Sequence, residues 1–196
     1  KFVAPEARIA VFDQDGTTWV EQPMYTQVVY CLERVPAAVK AKPELANIEP
    51  FKTVLSGNRE AMAKFTTPQL EMILAATLAG MTVDEFSGEA KKWLATAKHP
   101  RFKQLYTDLT YQPMQEAIKL FRANDYKTYF VTGGGQDFVR MYSEQIYGIP
   151  PEQVVGSSGV VKFEMKDGKP VLMKEAKVEF IDDGPGKPVG INRFIG

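Results

Sequence analysis

Two aspartates, Asp13 and Asp15, follow a short apolar segment at residues 8–12 that is rich in β-forming side chains. This pattern predicts a buried strand that ends in a turn. Alternate side chains of an extended segment point the same way, so both carboxylates can address one site. Such a pair suits nucleophilic and acid–base catalysis, and the carbonyl of Gln14 or Asp15 is available to a cation. The alternative interpretation is an aspartate-rich turn that only ends the strand.

A second turn combines a hydroxyl with glycines. Residues 127–132 are apolar and β-forming, end at Thr132, and precede the triplet 133–135 and a helical pattern at 136–147. This order predicts a strand, a glycine turn and a helix, the βα unit of a parallel sheet, in which ligands bind at the carboxyl ends of the strands. Backbone N–H groups of Gly133, Gly134 and Gln136 would form a cradle for an anion.

Three familiar loop motifs do not fit these turns. With Asp13 as the first position of an EF-hand, Thr18 stands where that loop needs glycine and Met24 where it needs a bidentate glutamate. The glycine triplet lacks the lysine and spacing of a P-loop, and Phe138 stands where a dinucleotide fingerprint needs its third glycine.

Composition narrows the classes of function further. The 196 residues include 24 basic and 24 acidic side chains, and this balance indicates neither nucleic acid nor an anionic membrane as partner, so a small molecule is expected. The lone Cys31 excludes an internal disulfide and is expected to be buried and inert. With His99 as the one histidine, zinc sites and Ser-His-Asp or Cys-His groupings are disfavoured. No apolar run is long enough to cross a bilayer, and the compartment, cytoplasmic or exported, stays open.

Helical periodicity dominates from about residue 23 to residue 112. A helix is expected to kink or end at Pro36, and Thr82 with Glu85 forms a capping box that opens a later helix. Further along, residues 160–165 and 171–173 flank a turn at 166–169 typical of a hairpin, and a short strand is expected at 178–181. A helix or turn is predicted at 187–195.

The strand followed by Asp13-Gln14-Asp15-Gly16-Thr17 resembles the first motif of the haloacid dehalogenase superfamily, DxDG[TV]. The resemblance implies an α/β, Rossmann-like core, Asp13 as the nucleophile that attacks phosphorus, and Asp15 as the acid and base. It also implies Mg²⁺ as cofactor, with Asp13 and Asp15 among its ligands. Dehalogenases of that family lack the second aspartate, so Asp15 favours phosphoryl chemistry.

The later motifs of the family are matched in part. Thr132-Gly133-Gly134 is similar to the SGG form of phosphoserine phosphatase-like members, which implies that Thr132 hydrogen-bonds the phosphoryl group. The best match to the family's lysine is Lys187, with Lys174 and Lys177 as alternatives. The fourth motif, an acidic cluster after a further strand, is not found after Lys187, and we expect the C-terminal part of the core to be missing. Asp182 and Asp183 are the alternative source of those acids, with Lys174 as the lysine.

The resemblance also divides the chain. It implies a core of residues 1–20 and 113–196 and a helical C1-type cap at 21–112, with Trp19 and Glu21 near the entrance to the site, together with Met24 and Tyr25. The expected activity is hydrolysis of a small phosphate monoester through an aspartyl-phosphate intermediate. Two alternatives remain open: a phosphotransferase or mutase on the same site, and a phosphate-ligand binding protein without turnover.

Overall fold

The computed structural model describes residues 3–196. The strands and α-helices of the described chain follow in this order: β1 (Ile9–Phe12), α1 (Thr26–Ala41), α2 (Phe51–Leu55), α3 (Arg59–Met62), α4 (Thr67–Leu78), α5 (Val83–Leu94), α6 (Gln112–Ala123), β2 (Lys127–Gly135), α7 (Gln136–Val139), α8 (Ser143–Tyr147), β3 (Val154–Lys166), β4 (Lys169–Phe180) and α9 (Gly186–Phe194). Within this part of the chain, no helix combines the length and apolar character needed to cross a membrane.

The strands form one mixed sheet in the order β1-β2-β3-β4. β1 pairs with β2 in parallel, and β2 pairs with β3 in parallel. β3 and β4 are joined by a two-residue turn in which Asp167 and Gly168 both have positive φ, at 52° and 75°, as a tight hairpin requires. The predicted α/β class is therefore confirmed, and residues 178–180 of the strand expected at 178–181 are the end of the longer β4.

β1 lies at one edge of this sheet, with β2 as its one neighbour among the described strands. Its sequence is wholly apolar, which is typical of a parallel strand covered on both faces. Nevertheless Ile9 and Val11 remain 39% and 42% exposed, whereas Phe12 is buried. The strand that leads into Asp13 is thus half open to solvent.

The chain divides into two compact units, and each is built from separate stretches of sequence. Unit 1 consists of residues 3–22, 87–158 and 179–196, and unit 2 of residues 23–86 and 159–178. The predicted boundaries were 20/21 and 112/113, whereas α5 enters unit 1 at residue 87 and the tip of the β3–β4 hairpin belongs to unit 2. The β3–β4 hairpin is divided between the units because its base belongs to unit 1 and residues 159–178 belong to unit 2.

Unit 1 has a core of large side chains that supports the turn after β1. Trp19, Tyr106, Phe130 and Phe138 are all almost completely buried, and so is Ile118 of α6. Burial on this scale contributes about 1.5–3 kcal/mol for each large apolar side chain.

Unit 2 is mainly helical, and α1 packs against α4. The guanidinium of Arg34 donates to the carbonyl of Thr77, and the ring of Tyr30 meets that of Phe86 edge to face at 6.2 Å. The predicted capping box is present, since the Thr82 N–H donates to Glu85 Oε2 at 2.7 Å and the Glu85 N–H donates to Thr82 Oγ1 at 3.0 Å.

Of the two outcomes expected at Pro36, a kink or an end, the helix does not end there: α1 continues to Ala41, and burial of Val35 stabilises it despite the one hydrogen bond that proline cannot make. Two other local predictions were wrong. The helix expected at 136–147 is divided into α7 and α8, where i to i−3 bonds from Met141 and Tyr142 tighten the backbone. The glycine triplet is not a turn but the end of β2.

Gly156 of β3 explains how β2 accommodates its last residues. The register passes from Thr132 opposite Gly156 to Gly135 opposite Ser157, so two residues of β2 bulge between these pairs. A Cβ added at Gly156 would lie 2.7 Å from the Gly134 carbonyl oxygen and 2.9 Å from the Gln136 nitrogen. Only a residue without a side chain fits beneath this bulge.

We therefore expect Gly156→Ala to destabilise the chain by about 1–3 kcal/mol, because backbone atoms cannot move aside as a flexible side chain can. Thermal or urea unfolding followed by circular dichroism measures the effect. The matched control is Gly88→Ala in α5, where an added Cβ meets nothing within 4 Å and stability should be unchanged or higher. Equal stability of Gly156→Ala and the parent chain would contradict the prediction.

Candidate active site

The turn after β1 is organised around the carbonyl of Gln14. This oxygen accepts from the N–H groups of Thr17, Thr18 and Trp19 at 3.3, 3.0 and 3.2 Å, and from the Thr18 hydroxyl at 3.1 Å. Gly16 has a φ of +73°, a conformation that glycine adopts without strain. Because these donors occupy the Gln14 carbonyl, it is not available to a cation as predicted, and the Asp15 carbonyl remains the backbone candidate.

Asp13 lies at the opening of this turn with its side chain 40% exposed. Its Oδ1 accepts from the Gln14 N–H at 2.9 Å and from the Lys187 ammonium at 2.8 Å. Lys187 is near the start of α9, so the predicted nucleophile and the predicted lysine meet, although they come from opposite ends of the sequence. The alternatives differ: Lys174 lies over the ring of Phe86 in unit 2, and Lys177 is exposed.

Asp15 lies deeper than Asp13. Burial, reinforced by the charges of Asp13 and Glu21, raises its pKa to about 7, and Lys187 opposes that rise. The Glu21 carboxylate lies against the turn at Gly16, since a Cβ added to that glycine would be 2.5 Å from Glu21 Oε2. Asp15 can therefore hold a proton near neutral pH, as a general acid must.

Thr132 brings a buried hydroxyl to the end of β2. Its Oγ1 accepts from the Gly134 N–H at 3.0 Å, which leaves the hydroxyl proton free to donate to a ligand. The predicted anion cradle is changed accordingly, because the Gly134 N–H is already used inside the bulge. α7 is also a single short turn of four residues, so little helix dipole is aligned there.

The loop after β4 brings two further carboxylates close to the end of β2. The Ser157 hydroxyl donates to the Gly133 carbonyl at 2.8 Å and accepts from the Asp182 N–H at 3.0 Å, so it ties β2, β3 and the loop together. Asp183 Oδ1 would lie 3.0 Å from a Cβ added at Gly133. The sequence offered Asp182 and Asp183 only as an alternative, and it gave no signal for Ser157.

Asp182 is completely buried, and neither of its carboxylate oxygens has a hydrogen-bond partner of good geometry among the described residues. Burial raises its pKa to about 6, against the opposing effects of Lys187 and the Thr132 backbone amide. Its Oδ1 packs against α9 at Gly190, where any side chain would collide with it. The carboxylate thus seats the helix that carries Lys187.

Trp19 does not occupy the place predicted for it. Its side chain is 1% exposed, its indole N–H donates to the Tyr106 carbonyl, and its ring packs on Tyr142 at 4.5 Å. A buried side chain with a satisfied donor belongs to the core, so the predicted substrate contact by Trp19 does not fit. Glu21, by contrast, lies beside the turn that carries Asp13 and Asp15.

Among the described residues, no group of three or more histidine, cysteine, aspartate or glutamate side chains is placed to hold a metal. Asp13 and Asp15 are nevertheless hard oxygen donors beside one turn. Mg²⁺ is commonly held by one or two carboxylates, with water and phosphate oxygens completing its shell. The two predicted ligands therefore fit a magnesium ion that arrives together with a phosphate.

Comparison with solved structures shows that this fold has been seen before. A protein of unknown function from Bordetella pertussis Tohama I superposes with a TM-score of 0.61 at 15% identity, over 95% of this chain and 73% of that one. A conserved functionally unknown protein from Anaerococcus prevotii DSM 20548 gives 0.56 at 14% identity, over 98% and 71%. A phosphoserine phosphohydrolase-like protein from Francisella tularensis subsp. tularensis SCHU S4 gives 0.41 at 16% identity, over 95% and 71%, which is too low a score to support an argument.

No protein-family model and no curated protein matches this chain. At these identities the likeness concerns the fold alone. The chemistry of the site must therefore be argued from its own residues.

Asp182 provides a test of the site's electrostatics. Its ordinary pKa is 3.8 and its folded value is about 6, so between these values the folded chain binds more protons and stability falls as pH rises. We expect Asp182→Asn to stabilise the chain by about 1–3 kcal/mol at pH 8, and the gain to vanish near pH 4. Thermal melting across this pH range measures it.

The matched control is the exposed neighbour, Asp183→Asn, which makes the same chemical change without removing a buried carboxylate. A loss of stability in Asp182→Asn at pH 8 would mean that the ionised carboxylate is favourably held, contrary to the expectation.

Proposed function

We propose that this chain is a magnesium-dependent phosphatase of the haloacid dehalogenase type that hydrolyses a small phosphate monoester. The observation that carries the proposal is the 2.8 Å ion pair between Lys187 and Asp13. It unites the residues that match the first and third motifs of that family. Asp15 and Thr132 add the acid and the hydroxyl that the same chemistry needs.

Asp13 is the nucleophile in this proposal. An oxygen of its carboxylate attacks phosphorus, the bond between phosphorus and the ester oxygen breaks, and Asp15 delivers its proton to the leaving oxygen. Asp15, now ionised, then removes a proton from water. The resulting hydroxide attacks the phosphorus of the aspartyl-phosphate, which releases inorganic phosphate and restores the Asp13 carboxylate.

Charge on the transferring group is met by Lys187 and by the Thr132 hydroxyl. Lys187 lowers the repulsion between the Asp13 carboxylate and an incoming phosphate, because its ammonium lies against the carboxylate that must approach the anion. The Thr132 hydroxyl, oriented by its bond from Gly134, has a proton to donate to a phosphoryl oxygen. Bound at the Asp13 carboxylate and the Asp15 backbone carbonyl, Mg²⁺ would supply electrostatic stabilisation of the phosphoryl oxygens.

The substrate belongs to the proposal as well. A small phosphate ester fits a chain with no net charge, and Glu21 beside Asp15 offers an acidic contact for the rest of the molecule. Residues 23–86 of unit 2 stand in the stretch of sequence where C1 caps are inserted, and we assign them that role. Caps of this kind select substrates by closing over the site.

Replacing the nucleophile is the direct test. We expect Asp13→Asn to lower kcat on p-nitrophenyl phosphate with Mg²⁺ by about 10⁴-fold or more, because the amide cannot form the phosphoryl bond. Acid-quenched mass spectrometry should detect a phosphoryl adduct on the Asp13 peptide of the parent chain and none in the variant.

The control is Asp125→Asn, the same change at an exposed residue paired with Arg8, which should keep full activity. Turnover retained by Asp13→Asn would remove Asp13 from its role. Tight binding of phosphate esters without turnover by the parent chain would instead favour a binding protein.

The pH dependence tests Asp15. Because its pKa is raised to about 7, Asp15 is protonated below that pH, and kcat should fall as pH rises through about 7. The fall should be steeper for an alkyl phosphate such as glycerol phosphate than for p-nitrophenyl phosphate, since an alkoxide leaving group needs the proton more. A Thr132→Ser variant should show the same midpoint. An alkyl-phosphate rate independent of pH between 6 and 9 would contradict Asp15 as the acid.

A further inference from the structure

A buried hydrogen bond connects the catalytic turn with a distant helix. The hydroxyl of Tyr147, the last residue of α8, donates to the carbonyl of Thr18 at 3.1 Å. Tyr147 is 4% exposed and Thr18 is completely buried. The tyrosine ring is fixed edge to face against Phe130 of β2 at 5.0 Å, so the donor is rigidly presented.

Thr18 links this contact with both proposed catalytic carboxylates. Its N–H and its hydroxyl both donate to the Gln14 carbonyl, and Gln14 stands between Asp13 and Asp15. The Thr18 carbonyl accepts a second bond, from the Tyr111 N–H at 3.0 Å. Two donors from separate segments therefore hold the far end of the turn, and one of them is a side chain that can be altered.

Burial raises the pKa of Tyr147 above its ordinary value of 10.0. The phenol therefore stays protonated and remains a donor throughout the range in which an aspartate-based enzyme works. Removing the hydroxyl would leave the turn with the Tyr111 bond alone at this carbonyl. Loss of the bond from Tyr147 to Thr18 would change the orientation of the turn, and with it the positions of the Asp13 and Asp15 side chains.

We propose that Tyr147 is a positioning residue for the phosphoryl transfer: through Thr18 and Gln14 it fixes the geometry of the turn that carries Asp13 and Asp15. This inference rests on the proposed function, and it assigns Tyr147 no contact with substrate. Small displacements of reacting groups have large effects on rate, since misplacement by about 1 Å can cost about 100-fold.

The test compares Tyr147→Phe with Tyr126→Phe in the full chain. Tyr126 also lies in unit 1 and packs edge to face on Phe121 at 5.1 Å. The control therefore removes a tyrosine hydroxyl that is not bonded to the turn. With p-nitrophenyl phosphate and Mg²⁺, we expect Tyr147→Phe to lower kcat by about 10- to 100-fold and to change KM by less than about twofold. The control should match the parent chain, and both variants are assayed well below their melting temperatures.

Hydrogen exchange supplies a readout that does not depend on activity. Amides of residues 16–19, which close the turn, should exchange faster in Tyr147→Phe, with no change elsewhere in unit 1. Unchanged kcat together with unchanged exchange would overturn the inference, and so would faster exchange throughout unit 1, which marks general destabilisation. If the parent chain has no turnover, the proposed function fails, and the exchange pattern alone decides whether Tyr147 orders the turn.

Discussion

Crowding of negative charge around the turn after β1 is the constraint on which the site depends. Asp13, Asp15 and Glu21 come from one turn, and the loop after β4 adds Asp182 and Asp183 to the same unit. Burial raises the pKa values of Asp15 and Asp182, and the neighbouring carboxylates add to both rises. Lys187 lowers both, and it does so from a helix that is seated by Asp182 itself. The same arrangement that destabilises ionised carboxylates keeps a proton on Asp15 and favours a cation beside Asp13.

Much of the architecture follows from local sequence, and so does one half of the site. The apolar segment before Asp13 and the pattern around Thr132 predicted parallel strands with polar ends, because strand period and turn composition are local properties. The capping box at Thr82 was predicted for the same reason. Lys187 was predicted as the lysine of the site because it resembles a family motif, and its ammonium lies against the Asp13 carboxylate.

What could not be predicted depends on contacts between distant segments. Trp19 was predicted to lie at the entrance because it follows the turn of Asp13 and Asp15, yet Tyr106 and Tyr142 enclose it. The glycine triplet has turn composition, but Gly156 on the next strand lets it continue β2 as a bulge. The Gln14 carbonyl looked free for a cation because no sequence pattern reveals the four donors that converge on it. Ser157 and Tyr147 act through hydrogen bonds of their hydroxyls to distant segments, and no sequence periodicity reveals such bonds.

The half-open position of β1 has a consequence for handling the protein. Along one side of this strand, the backbone groups and the apolar side chains of Ile9 and Val11 are accessible to another extended segment. Such a segment would lengthen the sheet next to the residue that precedes Asp13, so self-association would change the surroundings of that carboxylate. Concentration, temperature and added hydrophobic peptides are therefore variables to control in any measurement of activity.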